Sequence, residues 1–275
     1  MRLQIKKLSI YPIKSCHGLD VTEFQIGESG PQIQIGKTTI GDREWMFVDS
    51  EGKFVTQRTF PKMALLKPVL QDQRFYLEIL GSKFEIPIQE KAVPRKTVSV
   101  WGKDIDAALI ESPLNEAVSD FLNQNLQLMH FDSVSNREIL VKGKGMNAQT
   151  RFTDSQAYLI FTEESLKDLN SKMKEPIGPE RFRGNILLSG AEKPYAEDDW
   201  QILGSDRVAF EMTKACARCK IITVDQDKGE IPSSEPLQVL AKHRRRETAV
   251  YFGQYFLSRS YGEILKVGDQ LLVGG

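Results

Sequence analysis

What most constrains this chain is the density of turn residues between its short apolar runs. Through residues 1–110, Gly18, Gly27, Gly30, Gly36 and Gly41 separate Leu3 to Ile13, Leu19 to Ile26, Ile33 to Ile40 and Trp45 to Val48. Phe54-Val55-Thr56, Phe75 to Leu80 and Thr97 to Trp101 continue the series. Runs this short, alternating or β-branched and punctuated by glycine, predict the strands of a barrel or sandwich rather than alternating strand and helix. Helix signals are few. Ser112-Pro113 supplies a cap and a first-turn proline, Leu114, Val118, Phe121 and Leu122 follow at helical spacing, and Asn123-Gln124-Asn125 ends the run. Thr162-Glu163-Glu164-Ser165-Leu166 opens a second short helix.

A second β-rich half begins near Leu126. Its expected strands are Ala157 to Phe161, Phe182 to Leu188, Val208 to Met212, Cys219 to Val224, Val250 to Leu257 and Glu263 to Val273. The polar stretch from Ser133 to Thr153, with Lys142-Gly143-Lys144-Gly145 inside it, predicts a long surface loop. The expected fold is mainly β with short helices (α+β), divided into residues 1–125 and 126–275.

Charge narrows the partners. The 37 basic and 37 acidic residues cancel, which argues against a nucleic-acid polymer or an anionic membrane. His243-Arg244-Arg245-Arg246 is the only dense basic run and reads as a solvated helix end or loop. No apolar stretch approaches a membrane span, and the N-terminus lacks a signal-peptide core. Three cysteines in a chain of 275 residues suit a reducing compartment, so a cytoplasmic location is expected.

Two of those cysteines lie in Cys216-Ala217-Arg218-Cys219. A thiol reacts or binds metal as thiolate, and Arg218 between the pair favours that form. Its partner could be another thiol, a soft metal or an electrophilic substrate. Structural zinc wants four ligands, yet there is one Cys-x-x-Cys, and His17, His130 and His243 stand apart. An iron–sulfur cluster commonly needs four thiolates. A thioredoxin-like pair wants a helix after the first thiol, whereas Ile221-Ile222-Thr223-Val224 reads as strand. Two small hydrophobes buried at a strand entry are the plain alternative. Lys14-Ser15-Cys16-His17-Gly18, Asp42-Arg43-Glu44-Trp45 and Arg181-Phe182-Arg183-Gly184-Asn185 each set a cation beside a turn. With Arg218 they compose a receptacle for a phosphate-bearing cofactor, since guanidinium forks match phosphate oxygens.

These segments resemble a known family. Tyr11 to Gly18 and Asp42 to Val48 are similar to motifs of the N-terminal β-barrel domain that precedes MOSC domains. Arg181 to Ile186, Tyr195-Ala196-Glu197-Asp198-Asp199-Trp200, Cys216 to Asp225 and Phe252 to Phe256 resemble successive MOSC motifs. The resemblance implies two β-barrel domains with a molybdenum–molybdopterin cofactor at their junction and Cys219 as its thiolate ligand, Cys216 being a neighbour. It implies that Lys14, Ser15, Arg43, Arg183, Asn185 and Tyr255 hold the pterin and its phosphate, with Asp154 and Ser155 completing the contact. Gln156 stands where the family has a small hydroxyl residue, and Arg218 would stabilise charge near the metal.

The implied activity is reduction of N-hydroxylated small molecules: hydroxylaminopurines, amidoximes, hydroxamic acids or N-oxides. Too few thiolates remain for a built-in cluster, and the sequence stops at Gly274-Gly275, so electrons are expected from a separate ferredoxin, flavodoxin or flavin reductase. Two alternatives use the same residues: a sulfur carrier with a cysteine persulfide, and a non-catalytic cofactor-binding protein.

Overall fold

The computed structural model describes residues 1–88, 93–141 and 144–274. Among the described residues strands dominate, with three short α-helices, as the turn-rich pattern predicts. Seven strands close into a barrel. In order they are Tyr158–Thr162, Ile186–Ser189, Arg2–Ile10, Gln270–Gly274, Ile202–Gly204, Ala209–Ala217 and Ala249–Ser258, the last pairing back onto the first. Closure satisfies every strand edge within the ring, the usual remedy for exposed ladder groups. The N-terminal strand Arg2–Ile10 is therefore an integral stave, lying between Ile186–Ser189 and Gln270–Gly274. Its alternation sends Leu3 and Ile5 inward, and Leu8 and Ile10 join the same core.

The remaining N-terminal strands form smaller sheets around this barrel. One orders Arg95–Val100, Lys103–Ile110, Gln127–His130 and Trp45–Val48, all antiparallel. Met46, Val48, Val98, Val100, Ile105 and Met129 bury a second core beneath it, together with Phe152. Glu23–Gly27, Gly30–Ile35 and Thr38–Gly41 form an antiparallel sheet in that order, whose first strand pairs with Ile264–Lys266 from the far end of the chain. The helix α1 (Pro113–Leu122) starts as expected, with the Ser112 hydroxyl accepting from the Leu114 amide and Asn123 left-handed at its end. The Thr162 hydroxyl caps α2 (Glu163–Asn170).

Several local expectations change. Cys219 to Val224 is not a strand: the ladder ends at Ala217, and Lys220–Thr223 form a 3-10 turn. Ile221 and Ile222 are spent on packing, Ile222 against Phe182, Val239 and Phe252, and burial overrides their β propensity. Likewise, Phe182 closes the 3-10 turn Pro179–Phe182, Arg183 is left-handed, and the strand starts only at Ile186. The stretch from Ser133 to Thr153 is not a plain loop, because Glu138–Val141 and Met146–Gln149 pair as a hairpin. Lys142 and Gly143, within the predicted loop, lie outside the described residues. Phe54-Val55-Thr56 contributes one bridge, to Val48, rather than a strand. The helix α3 (Glu235–His243) carried no expectation; its amphipathic signal is two turns long, resting on Pro236, Val239 and Leu240.

The basic run after α3 is not simply solvated. Arg244 donates to Asp198 at 2.6 Å and stacks on Tyr195 at 4.0 Å, and Arg246 pairs with the same carboxylate. The Tyr195-to-Trp200 motif thus anchors that segment. Among the described residues no helix is long and apolar enough to cross a membrane.

Candidate active site

One cavity of about 380 Å³ gathers all ten candidate residues: Lys14, Ser15, Arg43, Asp154, Ser155, Arg183, Asn185, Arg218, Cys219 and Tyr255. They come from chain ends more than 100 residues apart, brought together because the N-terminal strand is built into the barrel.

The first strand leads through Tyr11-Pro12 into Lys14, whose amide donates to the Trp45 carbonyl at 2.8 Å. Ser15 turns left-handed, and its carbonyl accepts from the buried Gln57 amide at 2.9 Å. Arg43, Trp101 and Arg183 are left-handed too, so four non-glycine residues in that sparse region sit on this one cavity. Such strain persists where the surroundings over-determine it, and it clusters at functional sites. Both guanidiniums lie 4.4 Å from the Tyr11 ring centroid. Asp42, wholly buried, accepts from the Tyr11 amide at 2.8 Å and the Asn185 side chain at 3.2 Å and pairs with Arg43. Asn185 also accepts from the Leu159 amide at 3.1 Å, so its side chain is already committed to tying three segments.

Cations dominate the lining. Lys14, Arg43, Arg58, Arg181, Arg183, Lys214 and Arg218 face one carboxylate, Asp154. A chain of zero net charge has concentrated positive charge in one place, which bulk composition conceals. Burial pushes the Lys14 ammonium down to about 8 despite its pairing with Asp154. Burial works to raise the Asp154 acid, but Lys14, Arg58 and the Trp101 indole outweigh it and hold the carboxyl far below the usual range. Burial, then repulsion from Arg43, pushes Arg183 down to about 10. The Tyr255 phenol is raised well above its ordinary value by burial and by the Cys216 sulfur beside it, so it stays a proton donor.

The hydrogen-bond accounting is incomplete in an informative way. Arg183 donates through Nη1 to the Cys16 carbonyl at 2.7 Å, and Arg218 donates through Nε and Nη1 to the Phe252 and Phe182 carbonyls at 2.8 Å each. The Nη2 atoms of both, and Oε1 of Gln156, are enclosed without partners. Buried polar atoms rarely go unsatisfied, and here two of the three are charged donors on one cavity. An anion would complete them. Gln156 adds an enclosed acceptor, which a donor group on the same ligand would satisfy.

The three thiols divide by exposure. Cys16 is buried beneath Arg183, and burial pushes its thiol up to about 12, which makes it an inert packing residue. Cys216 is buried and Cys219 is exposed on the cavity wall. Cys219 takes a contact the sequence did not reveal: Arg58 Nη1 donates to its Sγ at 3.7 Å. Arg58, Trp101 and Lys214 had no motif to mark them, and only tertiary folding brings them here. Among the described residues no three His, Cys, Asp or Glu side chains form a metal cluster.

Comparison with known proteins agrees with this picture along the whole chain. Residues 2–127 match the MOSC N-terminal beta barrel domain, and residues 147–272 match the MOSC domain. The chain belongs to the MOSC family. Among its relatives, the mitochondrial amidoxime-reducing component 1 of Mus musculus is 33% identical over 98% of this chain and 82% of its own length. The Homo sapiens protein of the same name is 31% identical over 98% and 83%. The molybdenum cofactor sulfurase of Oryza sativa subsp. japonica is 26% identical, but the match spans only 34% of that longer protein.

Proposed function

We propose that this MOSC protein binds a molybdenum–molybdopterin cofactor in the cation-lined cavity and reduces N-hydroxylated small molecules with electrons from a separate redox protein. The observation that carries the reading is the coincidence, on one cavity, of an exposed Cys219 thiol and the unpartnered Arg183 and Arg218 nitrogens. The donor set fits such a group: a soft sulfur for a molybdenum centre, and buried guanidiniums for a phosphate tail. When bound, the cofactor would supply the two-electron exchange with oxygen attached to nitrogen.

The protein's own contribution is binding, orientation and charge. Cys219 would ligate the metal. Arg183, Arg43, Lys14 and Ser15 would seat the pterin and its phosphate, with Asp154 holding Lys14 and Ser155 and Gln156 beside it on the lining. Arg218, pinned by two carbonyls over left-handed Gly253, keeps its free nitrogen fixed beside the thiol's segment. The protonated Tyr255 phenol would donate a hydrogen bond within the cavity. Asn185 would act by holding Asp42 and the Leu159 strand in place rather than by touching the cofactor.

In protein from a cofactor-competent host, Cys219→Ser should lose its turnover of 6-hydroxylaminopurine with a reduced electron donor while still holding the cofactor through the cavity cations; full turnover would refute the assignment. The sulfurase similarity sustains one rival, a persulfide carried on the exposed Cys219. Mass spectrometry after incubation with cysteine desulfurase distinguishes it, because the rival requires a persulfide in molybdenum-free protein.

A further inference from the structure

Of three tryptophans, Trp45 and Trp200 are buried, while Trp101 is 53% exposed and lines the cavity mouth. It occupies the tip between strands Arg95–Val100 and Lys103–Ile110 with φ of 54°, a left-handed conformation that a bulky residue rarely holds. A glycine would serve that turn without strain, so the indole has another use. It is also held still. Its Nε1 donates to Asp154 at 3.1 Å, Phe54 meets it edge-on at 5.3 Å, and the Arg58 guanidinium stacks on it at 4.7 Å. Arg58 in turn reaches the Cys219 sulfur at 3.7 Å, and among the described residues no carboxylate forms an ion pair with it. Packing rather than an ion pair therefore fixes the guanidinium. The result is a rigid, half-open aromatic and guanidinium wall leading to the thiol.

We propose that Trp101 and Arg58 form the substrate-recognition wall, selecting flat conjugated N-hydroxylated compounds over saturated ones with the same reactive head. This rests on the reductase reading and assigns it a specificity determinant. A π-face accepts any flat ring, and an immobilised indole gives up little freedom when a ligand stacks on it. Saturated rings pucker and lose that face-to-face contact. Asp154 has two tasks here, since one carboxylate fixes both Lys14 in the cavity and the indole at its mouth.

The test compares benzamidoxime with cyclohexanecarboxamidoxime in the cofactor-loaded protein. Trp101→Ala should raise KM for benzamidoxime about tenfold more than it raises KM for the saturated analogue, the scale of one stacking contact. Trp101→Tyr should restore most of the preference, which separates a lost platform from a disturbed hairpin. A second readout needs no turnover. Because the other tryptophans are buried, acrylamide quenching reports on Trp101, and benzamide, which is flat but not N-hydroxylated, should protect it. Equal KM changes for both amidoximes, or no protection by benzamide, overturns the proposal. Protection by benzamide without reduction of any N-hydroxylated compound would leave the recognition wall standing and refute the reductase reading instead.

Discussion

Replacing Arg183 with methionine removes a buried cation whose cost and benefit fall in different states of the protein. The side chain is 8% exposed, with one nitrogen on the Cys16 carbonyl and Nη2 unpartnered. Burial, with Arg43 adding repulsion, moves the guanidinium from 12.5 to about 10. At about 1.36 kcal/mol per pH unit, this withholds roughly 3 kcal/mol from the ligand-free fold. Folded and unfolded chains both carry the proton at pH 7, so the full cost is present there and fades only as pH climbs past about 10. Losing the stack on Tyr11 and the Cys16 hydrogen bond opposes the gain by about 1–3 kcal/mol. Ligand-free Arg183→Met should therefore stay within about 2 kcal/mol of the parent, the difference of these terms. The loaded state behaves differently. A charge-assisted hydrogen bond from Nη2 to an anion is worth roughly 1.5–3 kcal/mol, so cofactor retention should fall about 10- to 100-fold. Urea unfolding with and without pyrophosphate, and molybdenum content after dialysis, measure the two halves. Undiminished stabilisation by pyrophosphate, or a ligand-free variant that is grossly unstable, would make Arg183 a scaffold residue and refute the reasoning.

Three other outcomes follow from the same geometry. Lys14 is moved by burial from 10.5 to about 8, so the unfolded chain binds more protons between those values. Ligand-free protein should gain stability as pH rises through that window, and Lys14→Met should lose the slope in urea midpoints taken at several pH values. Asp42→Ala strips the counter-charge from Arg43 and an acceptor from the Tyr11 amide, and should cost about 3–5 kcal/mol by equilibrium unfolding; a near-neutral result would mean the pair is not buried as described. Gly253 has φ of 72°, and a methyl there would sit 3.0 Å from the Ile160 carbonyl. Gly253→Ala should cost about 1–3 kcal/mol in thermal unfolding, and an unchanged midpoint would show that the backbone under Arg218 is free to adjust.

What the sequence disclosed and what it hid have separate physical causes. Short apolar runs between glycines are a local signal, so the β-rich character, the α1 cap at Ser112 and the Thr162 cap were legible. The motif residues were legible because they sit at turns: Ser15, Arg43 and Arg183 are left-handed where the chain leaves a strand or 3-10 turn. Cys219 to Val224 misled because Ile221, Ile222 and Val224 carry strand propensity but are buried outside any ladder, Ile222 in the cluster with Phe182 and α3. Arg58 and Trp101 were not legible as site residues at all. Their placement depends on a hairpin tip folding over the cavity and an indole bonding a carboxylate 53 positions away. Sequence neighbours carry no trace of such a contact. A barrel was expected, but which strands close it was hidden for the same reason, since the N-terminal strand pairs with partners near residues 188 and 271.

The thiol at position 219 bears the central claim, and X-ray absorption at the molybdenum edge reads it most directly. Parent protein from a cofactor-competent host should show one more sulfur neighbour on molybdenum than Cys219→Ser loaded with the same cofactor. Cys216→Ser should match the parent. An identical sulfur count in the parent and in Cys219→Ser, or a parent that holds no molybdenum, would contradict the account.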